Sequence, residues 1–137
     1  MRIVLSILVS NSSGVLNRVS GLFSRRGYNI DSLTVGPTED EGISRITVVA
    51  QGDQLVLEKI SKQVRKLEDV REVFVLPTGS SVYRELVLIK VQADATERAD
   101  LVSIVDIFRA RIVDVAPNSI VIEMTGDEPK VNGLLAM

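Results

Sequence analysis

The sequence contains neither cysteine nor histidine among its 137 residues. The missing thiols exclude disulfides, thiol catalysis and cysteine-ligated zinc, and the missing imidazoles exclude a histidine general base. The chain also has no block of like charge, because its 16 basic residues are dispersed and the net charge is only -2. A nucleic acid or an anionic membrane surface is therefore disfavoured as a partner.

Long hydrophobic runs are missing as well. The apolar stretch 3–9 is too short to span a bilayer and lacks the layout of a signal peptide, and its β-branched residues are typical of a buried strand. Because 45% of the residues are hydrophobic, the chain can bury one ordinary core or two small ones. We expect a soluble cytoplasmic protein, an organelle matrix being the other location that fits.

The most informative stretch is the polar turn from Asn11 to Gly14, between a predicted strand that ends at Ser10 and a predicted helix. The first turn of a helix leaves backbone N–H groups free and carries the positive end of the helix dipole. The turn therefore predicts a cradle for a small anion such as a carboxylate. It holds no nucleophile paired with a base, so the pattern favours a sensor over a catalyst.

Hydrophobic periodicity predicts the order βαββαβ over the first half of the chain. Strands are predicted at about 2–10, 28–37, 43–51 and 70–76, with a slip of phase between Ile30 and Leu33 that indicates a bulge. A helix at about 13–26 ends before Gly27, and a second helix follows the Gly52-Asp53 turn. The predicted inward residues of the two helices are Val15, Leu16, Val19, Leu22, Phe23, Val56, Ile60, Val64 and Leu67.

After a Gly/Ser hinge at 77–81 the same order begins again. Strands are predicted at 86–91, 111–115 and 120–124, and Asp94 and Glu97 are suited to cap the intervening helix. A Gly126-Asp127 turn then precedes a last helix, and the closing strand is missing. We predict an α+β fold of tandem ferredoxin-like βαββαβ units, at 1–77 and 82–137, the second without its last strand.

Each candidate residue also has a purely structural explanation. An isolated Asn-x-x-Gly turn is more often a helix cap than a ligand site, and Asn29 could be an ordinary turn residue after Gly27. The basic helix face at 59–66 is typical of a solvated surface. The acidic tip at 39–41 lacks further ligands for a metal ion, so a solvated turn is the better interpretation.

Taken together, these stretches resemble the regulatory (small) subunits of acetohydroxyacid synthase, also called acetolactate synthase. The residues that carry the resemblance are Asn11, Gly14–Leu16, Gly21–Ser24, Arg26–Ile30, Ser32–Val35, Ser44–Thr47, Lys62–Gln63, Lys66–Leu67, Val70, Arg84–Leu86 and Phe108–Ala110. The resemblance covers essentially the whole chain. It departs at the C-terminus, where members of the family carry a further strand and tail.

The resemblance implies that residues 1–77 form an ACT domain, a ferredoxin-like amino-acid sensor that pairs with a second copy and holds its effector between subunits. The implied effector-binding residues are Asn11, Gly14, Val15 and Leu16 of one subunit with Asn29 and Ile30 of the partner subunit. A neutral amide can bond either charged end of an amino acid, and helix N–H groups suit its carboxylate.

The resemblance further implies a non-catalytic subunit that binds the catalytic large subunit of acetolactate synthase, raises its activity and confers feedback inhibition by valine or another branched-chain amino acid. No cofactor is expected in this chain, whereas thiamine diphosphate, FAD and magnesium are expected in the catalytic partner. Two alternatives stay open: a free-standing ACT-domain sensor that acts on a different target protein, and a ferredoxin-like enzyme.

Overall fold

A computed structural model describes residues 2–137 and divides the chain into two compact units, one ending at Ser81 and the other spanning Val82–Met137. Both units combine one antiparallel sheet with two helices, so the predicted α+β plan of two βαββαβ-like units is confirmed. Within the described residues, no helix is long and apolar enough to cross a membrane.

The first unit contains all six predicted elements. They are β1 (Arg2–Ser10), α1 (Val15–Arg25), β2 (Ile30–Pro37), β3 (Ile43–Gln51), α2 (Gln54–Arg65) and β4 (Val70–Val75). The strands lie in the order β2-β3-β1-β4 with antiparallel neighbours, which leaves β2 and β4 at the two edges. The register of β2 on β3 shifts between Ile30 and Ser32, so the predicted bulge is confirmed.

The core of this unit lies between one face of the sheet and the two helices. Alternate residues of β1, from Ile3 to Val9, are buried together with Val19 and Phe23 of α1 and Val64 of α2. This alternation is the period of two that places every second strand residue on one face. Burying apolar side chains such as these is worth about 1.5–3 kcal/mol each, which makes this cluster the main source of stability.

One predicted core position is wrong. Leu16 is 42% exposed, whereas Val15, Val19, Leu22 and Phe23 are buried. Successive residues on an α-helix are rotated by about 100° around its axis, so the residue after Val15 leaves the narrow face that meets the sheet. Leu16 therefore lies on the surface beside the start of α1.

The second unit contains β5 (Glu85–Gln92), α3 (Arg98–Ile107), β6 (Arg111–Ala116), β7 (Ser119–Gly126) and α4 (Glu128–Ala136). Its three strands lie in the order β5-β7-β6, so β5 is an edge in the described chain, where β1 of the first unit has β4 as a neighbour. Leu86 and Leu88 of β5 are 61% and 62% exposed. A separate core forms around Ile120, Ile122 and Met124 of β7.

Aspartates stabilise the turns before α2, α3 and α4. Asp53 and Asp127 cap α2 and α4 by accepting hydrogen bonds from the N–H groups of Val56 and Lys130 at 2.9 and 3.0 Å. The predicted cap at Asp94 forms in the turn before α3, since the helix itself starts at Arg98. Hydrogen bonds from the side chain and backbone of Thr96 lower the pKa of Asp94.

Candidate functional site

The predicted cradle consists of the turn between β1 and α1, residues 11–14, and the first two residues of α1, and the adjoining β2–β3 turn holds its first residue. The backbone N–H of Asn11 donates to the carbonyl of Gly42 at 2.9 Å, and its Nδ2 donates to the carbonyl of Glu41 at 3.4 Å. Asn11 stays exposed. Asn11 is thus anchored through its backbone, and its amide side chain lies at the surface.

Helix α1 begins at this turn without a side-chain cap. Its N-cap residue is Gly14, in the left-handed conformation with φ of 83° and ψ of -5°, and no side chain in residues 2–137 bonds to the start of the helix. Helix α3 likewise has no side-chain cap at its N-cap residue Glu97, whereas Asp53 and Asp127 cap α2 and α4. An uncapped first turn keeps its N–H groups and the positive end of the dipole available to an external anion.

A charged side chain that no sequence pattern indicated lies beside Gly14. The Nη1 atom of Arg18 is 3.0 Å from the position that a Cβ on Gly14 would occupy. The same guanidinium forms an ion pair with Asp69, in which Nε and Nη2 both lie 2.5 Å from Oδ2. Arg18 and Asp69 are 51 residues apart, so no local pattern in the sequence could have indicated this pair.

Asn29 and Ile30 lie at the opposite end of the sheet from the cradle. Ile30 pairs with Ala50, which also pairs with Ile3 near the start of β1, whereas the cradle follows the end of β1. Seven residues along a strand correspond to about 23 Å. Within one chain, therefore, the structure does not bring these two residues to the cradle.

The environments of these two residues differ. Asn29 is exposed, and its Nδ2 donates to Oδ1 of Asp31 at 3.3 Å, while Gln51 donates to the other oxygen of the same carboxylate at 2.9 Å. Ile30 is partly buried and packs against the core. The amide of Asn29 thus has a weak local partner and enough exposure to contact a second molecule.

The two edges of the first sheet differ in their protection. At β4, Nη2 of Arg65 donates to the carbonyl of Val73 at 3.3 Å, so a charged side chain lies against that edge. No side chain of the described residues bonds to the backbone of β2. Both edges expose apolar residues, Leu33 and Val35 on β2 and Phe74 and Val75 on β4. A bare edge strand with exposed apolar residues is a surface suited to pairing with another strand.

The described residues offer no grouping of acidic side chains that could hold a metal ion. In the acidic tip, Asp40 serves the turn itself, since its Oδ1 accepts from the backbone N–H of Gly42 at 3.0 Å. The chemistry available at the cradle is therefore hydrogen bonding and charge: backbone N–H donors, one amide and one guanidinium.

Two known families match separate parts of this chain. Residues 5–72 match the family described as AHAS small subunit-like ACT domain, and residues 84–137 match the family described as small subunit of acetolactate synthase.

Individual proteins match along nearly the whole chain. A probable acetolactate synthase small subunit of Archaeoglobus fulgidus is 50% identical over 98% of this chain and 84% of its own length. The acetolactate synthase isozyme 3 small subunit of Escherichia coli is 47% identical over 99% of this chain and 83% of its own length. The crystal structure of the acetolactate synthase small subunit from Thermotoga maritima superposes with a TM-score of 0.93 at 38% identity, covering 99% of this chain and 85% of that one.

Proposed function

The chain belongs to the family of acetolactate synthase small subunits, and from this premise we propose that it is the regulatory subunit that activates the catalytic large subunit and confers feedback inhibition by valine or another branched-chain amino acid. The effector would bind to the first unit, residues 1–77. Thiamine diphosphate, FAD and magnesium would belong to the catalytic partner, with both subunits in the cytoplasm.

The observation that carries this proposal is the uncapped start of α1 at Gly14. A free amino acid has a carboxylate that suits the first-turn N–H groups, and an ammonium group that suits the oxygen of the Asn11 amide. Leu16 is exposed beside the same turn and offers apolar contact to a branched side chain. Backbone N–H groups, an amide and an apolar neighbour match the parts of a branched-chain amino acid.

The placement of Asn29 supports a site shared by two copies. If two β2 edges pair antiparallel about their centres, Ile30 of one copy faces Pro37 of the other, because β2 spans these two residues. Pro37 pairs with Ser44 at the end of the sheet where β1 leads into the cradle. Within one chain, Asn29 and the cradle lie at opposite ends of the sheet. A two-fold dimer of this kind therefore brings Asn29 of the partner subunit to the end at which the cradle lies.

Regulation by this route is a coupling between the effector and the catalytic subunit. Such couplings typically amount to about 1–3 kcal/mol, or a 5- to 150-fold change in affinity. By reciprocity, the catalytic subunit must change the affinity for the effector by the same factor. This reciprocity is a measurable property that separates regulation from incidental amino-acid binding.

The experiment that tests the proposal is reconstitution. Acetolactate formation from pyruvate is measured for the cognate catalytic subunit alone, with this chain, and with this chain plus valine, leucine or isoleucine. We expect activation by the chain and inhibition by at least one of the three amino acids. Binding of an amino acid without any effect on the catalytic subunit would favour a free-standing sensor, and turnover of pyruvate by the chain alone would favour an enzyme.

The shared site predicts that effector binding needs a dimer. Val35→Lys places a charge on the apolar β2 edge, and Leu55→Lys is the matched control because Leu55 is an exposed leucine on α2. We expect Val35→Lys to be monomeric by ultracentrifugation and to lose valine binding in calorimetry, and Leu55→Lys to keep both properties. Unchanged valine affinity in a monomeric variant would contradict the shared site.

A further inference from the structure

Arg18 is an exposed residue at the side of the cradle, with its side chain 49% accessible. Its Nη1 lies 3.0 Å from the position of a Cβ on Gly14, so glycine at this position leaves room for the guanidinium beside the first turn of α1. Arg18 is also the residue whose backbone N–H closes the first turn, donating to the carbonyl of Gly14 at 3.1 Å. One residue thus supplies both a backbone hydrogen bond of the first turn and a guanidinium beside it.

Asp69 holds this guanidinium in place. Both Nε and Nη2 of Arg18 lie 2.5 Å from Oδ2 of Asp69, and the carbonyl of Asp69 accepts from the N–H of Ser10 at 2.9 Å. The backbone of Asp69 is therefore held at the end of β1, where the cradle starts. The third nitrogen, Nη1, donates no hydrogen bond within residues 2–137 and is the one that lies against Gly14.

We propose that Arg18 binds the carboxylate of the amino-acid effector through Nη1, and that Asp69 is the residue that positions it. This inference rests on the proposed function, since it concerns the same site. A helix N-terminus contributes only about half a unit charge, whereas a guanidinium donates stronger, charge-assisted hydrogen bonds in a fixed geometry and keeps that capacity while it is paired with Asp69. Arg18 would therefore make a free carboxylate a requirement for tight binding of the ligand.

The pairing with Asp69 would also limit the binding of unrelated anions. The ion pair of Arg18 and Asp69 is neutral overall, so the cradle does not attract every anion by net charge. The planar fork of the guanidinium can bond one carboxylate with Nε and Nη2 and still offer Nη1 to another group. A lysine has no such fork, so Arg18→Lys keeps the charge and loses the fixed geometry.

The test is calorimetric titration of the full chain with two probes, L-valine and L-valinamide, which lacks the carboxylate. The variants are Arg18→Gln, Arg18→Lys and Asp69→Asn. The matched control is Arg26→Gln, because Arg26 follows the other end of α1 and donates to Oε1 of Gln63 at 3.0 Å. Thermal unfolding of each variant records any structural effect of losing the ion pair.

We expect the unaltered chain to prefer valine over valinamide, and Arg18→Gln to weaken valine binding about tenfold, the loss of one charged hydrogen bond, without changing the affinity for valinamide. Arg18→Lys and Asp69→Asn should lower the preference for valine over valinamide by smaller factors, and Arg26→Gln should leave this preference unchanged.

Two results would overturn the inference. If the unaltered chain binds valine and Arg18→Gln keeps its preference over valinamide, or loses affinity for both probes equally, Arg18 has only a structural role and the proposed function stands. If the unaltered chain binds no branched-chain amino acid, the proposed function fails and this inference fails with it. The Lys variant keeps the test valid should the Gln variant unfold, because it retains the charge that pairs with Asp69.

Discussion

Replacing Gly14 with aspartate puts a carboxylate where the carboxylate of the effector is proposed to bind. The backbone at Gly14 has φ of 83°, so any other residue carries a left-handed penalty of about 1–2 kcal/mol. Aspartate tolerates this conformation better than most residues, and its negative charge at the N-terminus of the helix stabilises the fold by about 0.3–1 kcal/mol. The net cost to the fold is therefore about 1 kcal/mol, or roughly 4–8 °C in the melting temperature of a unit of this size.

The effect on the effector is larger. A Cβ at this position lies 3.0 Å from Nη1 of Arg18. The new carboxylate would therefore pair with that guanidinium and accept hydrogen bonds from the N–H groups of the helix. Two carboxylates about 4 Å apart repel by about 1 kcal/mol in bulk water and about 4 kcal/mol near a protein surface. Added to the lost hydrogen bonds of a charged ligand, about 1.5–3 kcal/mol each, this lowers effector affinity more than a hundredfold.

The matched control is Gly14→Asn, which has the shape of aspartate and tolerates positive φ but carries no charge. We expect both variants to remain folded and to activate the catalytic subunit. Inhibition should be abolished in Gly14→Asp but recovered at higher valine concentration in Gly14→Asn, as measured by inhibition curves of the reconstituted enzyme. Equal inhibition curves for the two variants would refute the electrostatic reasoning, and normal inhibition in Gly14→Asp would place the effector elsewhere.

Two further predictions concern the remaining parts of the chain. Asn29→Ala should lower valine affinity by about 1–3 kcal/mol in calorimetry through loss of a buried amide contact, while the melting temperature stays unchanged because the side chain is exposed in the single chain. In hydrogen exchange of a dilute chain ending at Met137, amides at 86–91 should exchange faster than those at 4–9, because β5 has one neighbouring strand and β1 has two. Equal protection of the two stretches would show that β5 needs no further strand.

Much of the local structure could be predicted because its causes are local. The glycine and aspartate pairs before α2 and α4 were predicted as turns and caps, and Asp53 and Asp127 do accept the expected hydrogen bonds three residues on. The phase slip after Ile30 predicted the register shift that β2 shows on β3. The prediction that Leu16 is buried is wrong for a local reason too, since the apolar stripe of α1 is wider in the sequence than the face that meets the sheet.

By itself, the sequence determined the class of the fold, the order of the elements and the position of the turn between β1 and α1, because periodicity, turn residues and capping act over a few neighbouring residues. Only the tertiary structure decided that Asn29 lies at the far end of the sheet from Asn11, that β2 is the unprotected edge, and that Arg18 pairs with Asp69 beside Gly14. These facts depend on strand order and on contacts between residues tens of positions apart. Such contacts form only when the hydrophobic core has brought the elements together, and no local pattern encodes them.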